Sequence, residues 1–190
     1  MVDSKCDEAY YHAYMSLFAE LVRDSNELFA RSRFDAVGIQ GNIANGSMMG
    51  ADYFDQYVLP YEKTAIAPLI AAAKPTVYHN CGNARNLYSC YRKLGITCWE
   101  TVAQHPFGDN TLSDAKAYFG SSLVLCGTLD QVHFLKQATP NEIYRAAAET
   151  MLIGKAGGNY IFAASDYLER ETPLEHVKAM IEGALSSAKI

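Results

Sequence analysis

Five short strand-like runs alternate with helix-length segments along this chain, and the alternation limits the fold more than any other feature. The runs occupy residues 35–40, 75–82, 96–100, 122–127 and 159–164. Strands separated by helices pair in parallel through right-handed crossovers, so the sequence predicts an α/β fold. No G-x-G-x-x-G follows any of the runs, which disfavours a dinucleotide-binding sheet and favours a parallel (β/α) barrel-type sheet.

The length of the chain is short for a closed barrel. An eight-unit (β/α) barrel takes about 250 residues, whereas this sequence has 190 residues. We therefore expect one domain over residues 1–190 that holds about the last five strand-helix units of such a barrel. Either the chain is the C-terminal part of a longer protein, or a second chain, such as another copy in a homo-oligomer, covers the open sheet edges.

Composition and charge exclude several classes of function. The net charge is −5 and the 16 lysines and arginines are scattered, which argues against a nucleic-acid partner. The N-terminus has no apolar targeting segment and no apolar run reaches membrane-spanning length, so we expect no membrane association. Five cysteines without regular spacing suit reduced thiols, which favours a cytoplasmic location.

The second run ends in a pair of metal-capable residues. His79 and Cys81 are two positions apart, and alternate strand residues point to the same face. Nitrogen and sulfur are the donors that zinc prefers, so the pair supplies two ligands of a candidate zinc site. Asp166, which follows the fifth run, is the candidate third ligand. A histidine at a strand end is also commonly no more than a hydrogen-bonded residue, so the pair alone does not decide the question.

Polar residues follow the other runs as well, at the end of a parallel sheet where α/β enzymes build their sites. Gln40 and Asn42 follow the first run and are candidates for substrate binding. Glu100 ends the third run and Asp130 the fourth, so both are candidates for proton transfer. His105, in the loop after Glu100, is a further substrate-binding candidate. An acid at such a position is also frequently a helix cap, which stays open for each carboxylate.

Several motifs together resemble the C-terminal part of the uroporphyrinogen decarboxylase superfamily, which includes the corrinoid-dependent methyltransferases. The resemblance extends over nearly the whole chain. The matching segments are Gly46-Ser47, Val58-Leu59-Pro60-Tyr61, Tyr78-His79-Asn80-Cys81-Gly82, Gly127-Thr128-Leu129-Asp130, Thr139-Pro140, Gly157-Gly158-Asn159-Tyr160-Ile161-Phe162 and Thr172-Pro173.

The resemblance implies a TIM-type barrel and, in the methyltransferase branch, zinc held by a His-x-Cys pair and a later cysteine. His79 and Cys81 match the pair, and Asp166 stands where the later cysteine would be. The implied reaction moves a methyl group between a small substrate, either a thiol or a methyl ether or amine, and methylcobalamin carried by a partner corrinoid protein. Glu100 or Asp130 would then handle a proton.

Two alternatives remain open from the sequence. The first is decarboxylation of uroporphyrinogen, which the resemblance implies needs no metal but requires arginines for a polyacidic substrate. Of the seven arginines only Arg85 closely follows a strand end, so Arg85 is the residue that could bind such a substrate. The second alternative is an inactive, truncated barrel that serves as a binding or assembly module.

Overall fold

The computed structural model describes residues 1–41 and 44–188. The strands are β1 (Val37–Gln40), β2 (Thr76–His79), β3 (Cys98–Glu100), β4 (Val124–Leu129) and β5 (Tyr160–Ala164). The α-helices are α1 (Asp3–Cys6), α2 (Glu8–Ala30), α3 (Ala51–Tyr57), α4 (Leu59–Ala71), α5 (Tyr88–Leu94), α6 (Leu112–Phe119), α7 (Phe134–Gln137), α8 (Pro140–Lys155) and α9 (Leu174–Ala188), and a 3-10 turn spans Arg85–Leu87.

All five strands form one parallel sheet in the order β1-β2-β3-β4-β5. Right-handed crossovers between strands in sequential order place the connecting helices on the same side of the sheet. A sheet of this kind curves into a barrel, whereas a doubly wound sheet reverses its strand order. The predicted α/β class with five units of a barrel-type sheet is therefore confirmed.

Local sequence signals explain where the helices begin. Thr139 accepts a hydrogen bond from the backbone of Glu142, and the Glu142 side chain accepts one from the backbone of Thr139, which makes a capping box with Pro140 in the first turn of α8. Between β1 and β2 the chain forms two helices, α3 and α4, that meet at Val58. The break precedes Pro60, which suits the first turn of a new helix because proline lacks the N–H that would otherwise bond to the preceding turn.

The hydrophobic core lies between the sheet and its helices. Tyr78, Trp99 and Leu125, from the three central strands, are at most 1% exposed and pack in one cluster with side chains that include Leu69 and Tyr91. Neighbouring residues along a strand point the opposite way. His79 and Glu100 are consequently directed to the other, concave face of the sheet, where they are only partly buried.

Among the described residues, β1 pairs only with β2 and β5 only with β4, so each outer strand has an edge that no described strand covers. The long helix α2, which precedes β1, carries several large apolar side chains that are exposed. They are Tyr10, Tyr14, Leu17, Phe18, Leu21, Val22, Leu28 and Phe29. Across the described ranges, no helix combines the length and the apolar character that crossing a bilayer requires.

Candidate metal centre

Three metal-capable side chains converge at the carboxyl ends of β2 and β5. One ligand atom each from His79, Cys81 and Asp166 lies within 4.8 Å of the other two. The Nε2 atom of His79 is 4.0 Å from Oδ2 of Asp166. Within residues 1–41 and 44–188, this is the one group of three histidine, cysteine or acidic residues close enough to share an ion.

Strand alternation directs the two ligands of the His-x-Cys pair to one side and the residue between them to the other. Asn80 is fully buried, donates from Nδ2 to the backbone carbonyl of Ala44 and accepts at its backbone carbonyl from Trp99 Nε1. Immediately after Cys81, Gly82 adopts a positive φ of 90°, a conformation that glycine tolerates without steric cost. The backbone therefore changes direction directly after Cys81.

Glu100 orients the imidazole ring of His79. The two residues are register partners on neighbouring strands, and Oε2 of Glu100 lies 3.3 Å from Nδ1 of His79. A carboxylate at this distance accepts a hydrogen bond from the Nδ1–H group. The ring then carries its proton on Nδ1, and the lone pair of Nε2 is directed at Cys81 and Asp166. Metal-bound histidines commonly have a carboxylate in this position, because it fixes the ring and its tautomer.

Asp166 is held by the turn that follows β5. Its Oδ1 accepts a hydrogen bond from the backbone N–H of Tyr167, so that Oδ2 faces His79. The preceding residue, Ser165, is buried and donates from Oγ to Gln131. These contacts anchor the backbone on which the third ligand sits.

The charge around Cys81 disfavours its thiolate when no cation is near. Burial, and secondarily the negative charge of Asp166, raise the pKa of the Cys81 thiol. A bound divalent cation reverses this balance, because it stabilises the thiolate and neutralises the neighbouring carboxylate. One nitrogen, one sulfur and one oxygen donor match the ligand types that zinc accepts, and three protein ligands leave a fourth position for a substrate, as in catalytic zinc sites. The residues present therefore fit zinc.

Comparison with known families agrees with this geometry. Residues 5–185 match the family described as "Uroporphyrinogen decarboxylase (URO-D)". The chain belongs to this family. The resemblance that the sequence motifs indicated is therefore confirmed over almost the entire length of the chain.

The curated relatives found by sequence are methyltransferases. The chain is 22% identical over 178 residues to "Methylated-thiol--coenzyme M methyltransferase" of Methanosarcina mazei, covering 94% of this chain and 45% of the relative. It is 24% identical over 153 residues to "Methylcobamide:CoM methyltransferase MtbA" of Methanosarcina acetivorans, covering 79% of this chain and 41% of the relative. The chain thus spans less than half the length of these relatives.

A solved structure confirms the fold. A "methyltransferase from Methanosarcina mazei" superimposes with a TM-score of 0.73 at 20% identity, covering 88% of this chain and 47% of the other. At this level of identity the likeness establishes the arrangement of strands and helices. This member of the uroporphyrinogen decarboxylase family therefore has five consecutive units of the barrel-type fold.

Besides Glu100, the predicted residue Gln40 lies on the strand next to His79. It is the last residue of β1 and the register partner of His79, and it is exposed on the concave face. Asn42, the second residue predicted to bind substrate after β1, lies outside the described residues. Glu100 is 40% exposed through its side chain, so solvent or a substrate can reach its carboxylate.

Two predicted residues make contacts away from the metal-capable group. Arg85 pairs with Asp114 at the start of α6, and its role in binding substrate stays a prediction. Asp130 accepts backbone hydrogen bonds from Val132, His133 and Phe134, so its carboxylate caps the turn into α7. The sequence left open whether Asp130 caps a helix, and the structure shows that it does.

His105 lies in a separate cavity. It is exposed in the loop after β3 and lines a space of about 460 Å³ together with Asp130, Glu149 and residues of α6 and α8. None of the three metal-capable residues lines this space. His105 therefore lies apart from the three metal-capable residues, and its role in binding substrate stays a prediction.

Sequence reasoning missed the residues that brace the site. Asn110 is buried and donates from Nδ2 to the carbonyls of Gly82 and Ala103. A Cβ at Gly108 would lie 2.7 Å from the Gly82 carbonyl, so the loop after β3 packs directly on the turn that follows Cys81. The segment Gly108-Asp109-Asn110 has the composition of an ordinary turn, and its sequence contains no signal of this contact.

Proposed function

We propose that this chain carries the metal-binding part of a zinc-dependent methyltransferase site, which moves a methyl group between a small thiol, methyl ether or methylamine and methylcobalamin on a corrinoid protein. The observation that carries the proposal is the convergence of His79, Cys81 and Asp166 within 4.8 Å at the end of a barrel-type sheet where enzymes of this architecture bind substrates. The methyltransferase relatives support the same reaction class.

In this proposal each residue has a defined part. His79 would hold zinc through Nε2, while Glu100 accepts a hydrogen bond from Nδ1. Cys81 would hold the ion as the thiolate and Asp166 through Oδ2. When bound, zinc would supply a Lewis acid that lowers the pKa of a substrate thiol or polarises a methyl donor. Glu100, whose carboxylate is partly exposed, takes up the proton that a thiol substrate releases.

In this proposal the residues that flank the ligands on the concave face orient the substrate. Gln40 is the candidate on β1, because it is the register partner of His79 and its exposed side-chain amide can hydrogen-bond to a polar group of the substrate. A cytoplasmic location suits the proposed site, since a reducing compartment keeps the Cys81 thiol available as a ligand.

The relevant experiment measures transfer of the methyl group from free methylcobalamin to a panel of small thiols. We expect zinc-loaded protein to demethylate the corrinoid, EDTA to abolish the reaction and added zinc to restore it, because the metal generates the thiolate. The His79→Ala variant should be inactive, whereas His133→Ala, on the α7 side of the molecule, should match wild type. Transfer that continues unchanged after complete removal of metal would refute the proposal.

A further inference from the structure

The turn that follows Cys81 is held from both sides by the loops of the neighbouring strands. We call residues 82–86 the Cys81 turn. On one side, the backbone N–H of Gly46, in the loop after β1, donates to the carbonyl of Asn83 at 2.6 Å. On the other side, residues 108–110 of the loop after β3 contact both ends of the turn. The backbone that leaves the candidate ligand is therefore fixed by two loops that carry no ligand themselves.

Asp109 holds the far end of the Cys81 turn. Its Oδ1 accepts hydrogen bonds from the backbone N–H of Ala84 at 2.8 Å and from that of Arg85 at 3.1 Å. These two N–H groups open the 3-10 turn that leads into α5, where no preceding helical turn supplies an acceptor. The carboxylate from the neighbouring loop consequently fixes the point at which the Cys81 turn becomes helical.

Asn110 holds the near end of the turn through a buried side chain that is fully hydrogen-bonded. Only 2% of the residue is exposed. Its Oδ1 accepts from the hydroxyl of Tyr88 at 3.0 Å, and its Nδ2 donates to the backbone carbonyls of Gly82 at 3.2 Å and Ala103 at 2.8 Å. A side-chain amide has two N–H donors and one carbonyl acceptor, so these bonds use both hydrogens and the oxygen. Asparagine therefore matches this position in both donors and acceptor.

The bond from Asn110 to Gly82 acts on the residue directly after Cys81. Glycine can leave the positive φ that it adopts here at little steric cost, so the local sequence alone does not fix the direction of the Cys81 side chain. A different conformation of Gly82 would leave an N–H of the buried Asn110 amide without its acceptor, which is costly. The hydrogen bond thus selects the observed turn before any metal binds.

We propose that Asn110 is a positioning residue of the metal centre, which sets the direction of the Cys81 thiolate by holding Gly82. The inference rests on the proposed metal site and not on the methyl-transfer reaction. Glu100, which ends β3, orients His79, and Asn110 lies in the loop that follows the same strand. The β3 unit, which supplies none of the three candidate ligands, therefore positions both members of the His-x-Cys pair.

The test compares two variants that each remove a buried asparagine, Asn110→Ala and Asn26→Ala. Asn26 is the matched control, because it is 3% exposed and donates from Nδ2 to the carbonyl of Ala65 at 2.8 Å, between α2 and α4. Urea unfolding should show a loss of stability in both variants. Only Asn110→Ala should lower zinc affinity, by about tenfold or more, as measured by chelator competition. Only this variant should also change the visible absorption of bound cobalt(II), which reports the geometry of the ligands.

Tyr88→Phe decides the question if Asn110→Ala does not fold. It keeps the ring and removes only the hydroxyl that orients the Asn110 amide, so we expect the same change in the cobalt spectrum with a smaller loss of zinc affinity. Tyr91→Phe is its control on α5, because the buried Tyr91 hydroxyl has no hydrogen-bond partner among the described residues, and it should bind metal as wild type does.

The outcomes separate this inference from the proposed function. A wild-type zinc affinity and cobalt spectrum in folded Asn110→Ala or in Tyr88→Phe would overturn the positioning role and leave the proposed function standing. Equal losses of zinc affinity in Asn110→Ala and Asn26→Ala would do the same, because the effect would then follow from stability alone. Wild-type protein that binds neither metal would refute the proposed function and the positioning role together.

Discussion

At the scale of single residues, the candidate centre depends on residues that contact the ligands or the backbone beside them. Glu100 accepts from Nδ1 of His79, Asn110 supports the turn after Cys81, and Ser165 anchors the backbone before Asp166. Each contact restricts the conformations of one ligand residue before the metal binds. The site is consequently organised by side chains that do not themselves bind the ion.

The contact between Glu100 and His79 gives a direct prediction for metal affinity. Glu100→Gln keeps the shape of the side chain but replaces a charged acceptor with a neutral one, so zinc affinity should fall by about tenfold or more. Competition with a chromophoric chelator measures the change. Glu149→Gln, an exposed substitution on α8, is the control and should bind zinc as wild type does. Equal affinity in both variants would show that Glu100 does not orient the ligand.

At the scale of elements, the sequence indicated the strands, because these depend on local composition. The order of the strands followed from the same alternation. The contacts of Arg85 and Asp130 could not be obtained in this way, since an ion pair with α6 and a cap on α7 depend on how neighbouring units pack. Glu62 was missed for the same reason: on α4 it has the spacing of a surface residue, yet it packs against the sheet, where the hydroxyl of Tyr78 donates to it at 3.4 Å.

The position of Glu62 between α4 and the sheet predicts a pH-dependent stability. Burial raises the pKa of Glu62 to about 7, and the hydrogen bond from Tyr78 opposes this shift only in part. The folded state therefore binds the proton more tightly than the unfolded state, so that stability falls as pH rises from about 4.5 through 7. Glu62→Gln, which is neutral at every pH, should be more stable than wild type by about 3 kcal/mol at pH 8.

Urea unfolding at two pH values provides the measurement for Glu62. The advantage of Glu62→Gln should shrink toward zero near pH 4, where the wild-type carboxyl is protonated in both states. Lys63→Gln, at the neighbouring exposed position on α4, should show no such dependence. An advantage of Glu62→Gln that is equal at both pH values would contradict the assigned cause.

At the scale of the whole molecule, the curvature of the sheet brings the ligands that follow β2 and β5 close together. Asp166 is 85 residues further along the chain than Cys81, and β2 and β5 are separated in the sheet by two strands. The sequence predicted each ligand from its place at a strand end, and the family resemblance named the three together. Only the folded sheet shows that their ligand atoms come within 4.8 Å of each other.

The central claim is that these three side chains bind one metal ion, and cobalt(II) titration of metal-free protein followed by absorption spectroscopy tests it most directly. We predict saturation at one equivalent with a thiolate-to-cobalt charge-transfer band in the near ultraviolet. The band should disappear in Cys81→Ser and persist in Cys6→Ser, a control at an exposed cysteine. A band that persists in Cys81→Ser, or wild-type protein that binds no cobalt, would contradict the account.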